Sequence, residues 1–241
     1  MNNVNIHGYS ERGVMNALFY GITYEKDEKK QRAAIQAIIN AESTNETKTN
    51  YQKFDFYMEF SLSEFGSPDL IIIATDDKGQ KTVFFVEAKV SNGHCYDINK
   101  EYDNYDRNSS NLFFQLGLKK CYSKIKKSAL EVEQCYSQFE EYFKEDEFNR
   151  LIKINKEKYR KTGDNVVVKK LDEIIKTNDS FKFLAIIPKQ QEPLKENKFF
   201  SDVKFLYWED LYKNQSLSRY LKDVIDLNGE NNKSLIFNPE K

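Results

Sequence analysis

Long apolar runs are missing from this 241-residue chain. No stretch approaches the roughly 18 apolar residues that a membrane-spanning helix needs. The segment Met1 to His7 has neither the basic start nor the apolar run of a secretion signal. A cytoplasmic protein with no membrane partner is expected. Cysteine is scarce: Cys95, Cys121 and Cys135 form an odd set without CxxC spacing, which argues against a disulfide framework and against a zinc site. The two histidines, His7 and His94, lack the partner spacing of a metal ligand or a catalytic triad. Net charge is lacking too. With 37 basic and 38 acidic residues the total is −1, so bulk charge does not announce a nucleic-acid binder.

What is present points to a folded domain. A hydrophobic fraction of 39% and an aromatic fraction of 14% exceed what a disordered chain carries, and 31% charged residues give it a polar surface. The length suits a single domain over residues 1–241 with a helical insertion at about 131–176. Charge is segregated along the chain. Lys119, Lys120, Lys124, Lys126 and Lys127 put five lysines in nine residues, followed by seven acids between Glu131 and Glu147. Lys119, Lys120 and Lys124 are candidate phosphate contacts; the alternative is a solvated helix face.

Ser10 is placed to cap a helix from Glu11 to about Ile22, with Val14, Leu18 and Ile22 on one face. A second helix is expected over about Asp27 to Ala41. The alternation of Phe54, Phe56, Met58 and Phe60 with polar neighbours predicts a half-buried strand to Ser61. Residues 91–110 read as a polar loop, and a helix follows from about Asn111 to Leu130. Phe181 to Ile187 and Val203 to Trp208 read as strands, and a closing helix from Glu209 continues through Tyr220 and Val224, with Trp208 as a packing anchor. The order indicates an α/β fold: a mixed central sheet with flanking helices.

Two short hydrophobic runs, Leu70 to Ala74 and Thr82 to Val90, carry charges that packing does not require. If Asp77, Lys78 and Gly79 form a three-residue hairpin loop with Gly79 left-handed, pairing is centred on Lys78 and Asp69 falls opposite Glu87. Directly opposed residues have Cβ atoms about 4.5–5.5 Å apart, so two carboxylates there repel unless a cation lies between them. Period-2 alternation puts Lys89 on the same face as Glu87 and turns Ala88 away.

Pro68-Asp69, a spacer, then Glu87-Ala88-Lys89 resembles the PD-(D/E)xK signature of the restriction-endonuclease-like nuclease superfamily. The resemblance implies an αβββαβ core and metal-dependent hydrolysis of phosphodiester bonds in DNA, in restriction, repair or defence. It also implies that Asp69, Glu87 and the backbone carbonyl of Ala88 hold Mg²⁺ or Mn²⁺. Hard oxygen donors without a His/Cys cluster agree with that choice of metal. DNA is the expected partner, and a homodimer is an assembly to consider.

Lys89, flanked by carboxylates, is better suited to orienting water and stabilising phosphorane charge than to acting as a base. Glu11 is a candidate further metal contact, as relatives carry an acid on the first core helix; otherwise it complements the helix dipole. Glu59 competes for that role. Gln115 occupies the place where some relatives have a glutamine followed four residues later by tyrosine; here position 119 is lysine. Gln115 and Lys119 share a helix face and a route to phosphate. The competing expectation is a nuclease-fold module that binds nucleic acid or a protein without cutting.

Overall fold

Ser10 opens the first helix as read from the sequence. In the computed structural model its side chain accepts from the Gly13 amide, and α1 runs Glu11–Thr23 with Val14, Leu18 and Ile22 fully buried. The structure describes residues 10–40, 49–62, 65–91, 95–105, 110–128, 170–171, 173–176 and 179–222. His7, His94, Cys135 and residues 131–169 of the expected insertion lie outside them. The end of that insertion is described, and Leu171 and Ile175 are buried in the core.

Helix α2 (Glu28–Ile39) starts at Asp27, whose carboxylate accepts from the Lys29 and Lys30 amides. Strands β1 (Tyr51–Met58), β2 (Leu70–Asp76) and β3 (Lys81–Ala88) follow, then α3 (Ile98–Asp103) and α4 (Leu112–Ser128). The described part of the chain continues through β4 (Ser180–Ile187), β5 (Val203–Tyr207) and α5 (Trp208–Lys213). The strands form one mixed five-stranded sheet in the order β1-β2-β3-β4-β5. The first three are antiparallel; β3, β4 and β5 are parallel. Among the described residues no helix is long and apolar enough to cross a membrane.

Each sheet face has its own core. Ile71, Ile73, Val83 and Phe85 pack with α4 residues such as Phe113 and Leu116. Leu70, Ile72, Phe84, Val86 and Ala88 pack with α1, α2 and Trp208 on the opposite face. Burying each such aliphatic side chain contributes roughly 1.5–3 kcal/mol. Odd-numbered residues of β2 and β3 therefore face α4, the side to which Asp69 and Glu87 belong.

Three expectations need adjustment. The strand predicted to reach Ser61 ends at Met58, because Glu59 takes a left-handed backbone, φ 50°. The polar segment predicted as a loop contains α3, capped by Asp97, whose side chain accepts from the Asn99 and Lys100 amides. The closing helix is interrupted at Asn214, where ψ is 119°.

Candidate active site

The hairpin has the expected register. Pairs run from Thr75 with Lys81 to Leu70 with Val86, all centred on Lys78, and Gly79 is left-handed at φ 78°. The Asp76 carboxylate accepts from the Lys78 and Gln80 amides and stabilises the loop. One step beyond Leu70 and Val86 the same register sets Asp69 opposite Glu87. Asp69 Oδ2 accepts from the Ala88 amide at 2.7 Å, so the backbone at Ala88 faces the Asp69 edge.

Lys89 continues β3, its amide donating to Ile186 O at 2.9 Å and its carbonyl accepting from Trp208 Nε1 at 2.9 Å. Trp208 is the expected packing anchor and also fixes this backbone. The ammonium of Lys89 lies 3.1 Å from Glu11 Oε1 and 3.1 Å from Gln115 Oε1. First-turn position on α1 delivers Glu11, and α4 delivers Gln115. Four of the sequence candidates thus converge as half-buried groups, Glu11, Asp69, Lys89 and Gln115, above a fully buried Glu87.

The lysine-rich stretch is arranged differently from the expected phosphate-facing stripe. Lys119 is fully buried, with its ammonium 2.9 Å from Glu87 Oε1. Lys120 is also buried: it donates to Phe199 O and Asp202 Oδ1 and lies over the Phe183, Phe199 and Phe200 rings. Both ammonium groups turn inward because α4 is enclosed between the sheet and the Phe199–Phe200 segment. Lys124 is half-buried, 6.0 Å from the Phe199 ring centroid. Glu59, the competitor of Glu11, pairs with Arg12.

Burial dominates the electrostatics. It pushes Glu87 from an ordinary value of 4.5 to about 7; Lys119 and Lys89 oppose the rise and Asp69 adds to it. Burial likewise lifts Glu11 to about 7, against Lys89 and with Asp69 and Glu101. For Lys89 burial disfavours the ammonium, but Glu11, Glu87 and Asp69 outweigh it and hold its pKa above the usual lysine value. The Lys89 ammonium is therefore charged at neutral pH.

Tyr96 was not singled out by the sequence. Its hydroxyl is buried without a hydrogen-bond partner among the described residues, and burial, with Glu101, Glu11 and Asp97 nearby, holds its pKa well above the phenol value. The polar segment 91–110 marked its neighbourhood; nothing in the residue pattern distinguished this tyrosine from its neighbours.

The donor chemistry fits a hard divalent cation. Both Glu87 carboxylate oxygens are buried and lack a well-formed hydrogen bond among the described residues, and Lys119 answers Oε1 as an ion pair at 2.9 Å. Among the described residues no group of three or more His, Cys, Asp and Glu side chains gathers as a metal cluster. Asp69 and Glu87 would therefore need backbone and water oxygens to complete an ion's shell. No family model, curated protein or solved structure matches this chain.

Proposed function

We propose that this protein is a Mg²⁺- or Mn²⁺-dependent nuclease that hydrolyses phosphodiester bonds in DNA, on a restriction-endonuclease-like αβββαβ core. The observation that carries this reading is the hairpin: Asp69 bonded to the Ala88 amide, opposite Glu87, with Lys89 between Glu11 and Gln115. The mixed sheet and its flanking helices support the core assignment. A cytoplasmic role in restriction, repair or defence agrees with the composition and rests on the family resemblance.

Asp69 and Glu87 would hold the ion, with the Ala88 carbonyl on the Asp69 edge as a further donor. Such an ion, when bound, lowers the pKa of a coordinated water and offsets phosphate charge. Lys89 keeps its proton under the field of three carboxylates, so it positions the attacking water and meets the charge that develops on the phosphorane oxygens. Gln115 orients that ammonium. Glu11, raised to about 7, has the proton affinity of a general base near neutral pH.

The test is cleavage of plasmid, single-stranded, branched and RNA substrates with Mg²⁺ or Mn²⁺. The reading expects metal-dependent cleavage of DNA, stopped by EDTA and by Asp69→Ala or Lys89→Ala in folded protein. Intact substrates under both metals overturn it. The Glu87–Lys119 ion pair favours a second reading, a nuclease-fold module that binds without cutting, because an internal cation already answers the buried carboxylate. A melting temperature indifferent to metal would favour that second reading.

A further inference from the structure

Lys119 has a place in the site that metal-dependent hydrolysis does not itself require. Its side chain is enclosed, and the chain makes room for it. Gly66 has φ 76°, and a Cβ there would lie 3.3 Å from the Lys119 ammonium and 3.7 Å from Leu118 Cδ1. The glycine before Ser67-Pro68-Asp69 thus serves two ends, a left-handed approach to Asp69 and space for the ammonium. Helix α4 presents Gln115 to Lys89 and, one turn later, Lys119 to Glu87. One helix face therefore supports both charged partners of the hairpin.

The ammonium pairs with Glu87 at Oε1, 2.9 Å from Nζ, and Oε2 is buried with no hydrogen-bond partner among the described residues. A fixed cation thus already occupies one position on this carboxylate, and Oε2 is left for a second. Charge points the same way. The Lys89 and Lys119 ammonium groups already face the carboxylates, so a second divalent ion would crowd further positive charge beside Lys119 in a site largely withdrawn from water, where charge is poorly screened.

We propose that Lys119 is a positioning residue that stands in the place of a second metal ion on Glu87 and limits the site to one divalent cation. The proposal rests on the reading of Asp69 and Glu87 as metal ligands. It assigns Gly66 the task of admitting the lysine. Because the lysine is fully buried, with its ammonium beside Gly66 and paired with Glu87, it stays in place when Oε2 takes a metal.

Mn²⁺ binding to the full chain tests this without relying on catalysis. Calorimetry on the wild type should give one ion at the site, and electron paramagnetic resonance should show the isolated six-line spectrum of mononuclear Mn²⁺. Lys119→Met keeps most of the buried stem and removes the charge; it should bind two ions and give a spin-coupled spectrum. Two coupled ions on the wild type overturn the proposal, and that measurement needs no variant to fold. A folded Lys119→Met protein, verified by circular dichroism, that still takes one ion also overturns it. No bound ion on the wild type removes the ligand reading and this inference together, which distinguishes the two failures.

Discussion

Replacing Glu11 with glutamine isolates the energetic cost of one buried carboxylate. Glutamine keeps an oxygen acceptor for the Lys89 ammonium and abolishes the titration. In the folded wild type, burial raises Glu11 from 4.5 to about 7. The folded state therefore binds the proton more tightly than the unfolded state, and stability falls as pH rises between those values. A shift of that size corresponds to about 3.5 kcal/mol at most, since each pKa unit is about 1.4 kcal/mol. The side chain is 29% exposed, and solvent screening brings the expectation to about 2–3 kcal/mol. For a chain of this length that is roughly 4–12 °C in melting temperature. Chemical denaturation in EDTA at pH 4.5, 6 and 8 measures it. Relative to wild type, Glu11→Gln should gain little at pH 4.5 and most of the difference by pH 8. A gap that is flat with pH, or that shifts in favour of wild type as pH rises, would refute burial as the cause.

Asp69→Asn keeps an acceptor for the Ala88 amide while removing a repulsion on Glu87, so metal-free protein should melt at or above the wild-type temperature. Mn²⁺ at a hundred times its Kd should stabilise wild type by about 2.7 kcal/mol and leave this variant unmoved in thermal melts. Lys89→Ala should lower single-turnover DNA cleavage by roughly 10²–10³-fold, the usual effect of losing a donor to developing charge, while circular dichroism stays unchanged. Gly79→Ala meets no atom within 4 Å, so its cost is conformational, about 1 kcal/mol in urea denaturation from the left-handed φ of 78°. Gly79→Asn should recover much of that loss.

The site's skeleton was legible because its information is local. A glycine three residues after Asp76 fixes the loop, the loop fixes the register, and the register fixes which carboxylates meet. Ser10 and the spacing of Val14, Leu18 and Ile22 placed Glu11 at a helix start for the same kind of reason. Lys119 and Lys120 were misread because α4 is buried nearly all round. A cluster of lysines usually marks a solvated face, but here tertiary enclosure overrides the composition. One signal was available: Lys119 lies one turn beyond Gln115, already aimed at the hairpin. Helix α3 has only six residues and no apolar periodicity to reveal it.

Five ionisable groups meeting at the end of a hydrophobic sheet do not form a stable arrangement on their own account. Glu11 and Glu87 both resist ionisation where they lie, and a buried ion pair such as Glu87 with Lys119 tends to break even against desolvation. The arrangement persists because the backbone imposes it. The Lys89 amide is held by Ile186 O and its carbonyl by Trp208 Nε1, and the apolar residues of β3 anchor the strand in two separate cores. A slip of one residue between β2 and β3 would carry Asp69 to the α1 face and turn each alternating hydrophobic set into the wrong core. The cores that stabilise the fold are thus the same contacts that hold the carboxylates together against their repulsion. If Asp69 and Glu87 hold the proposed ion, variants that loosen the β2–β3 pairing should lose Mn²⁺ binding in calorimetry before circular dichroism shows loss of secondary structure.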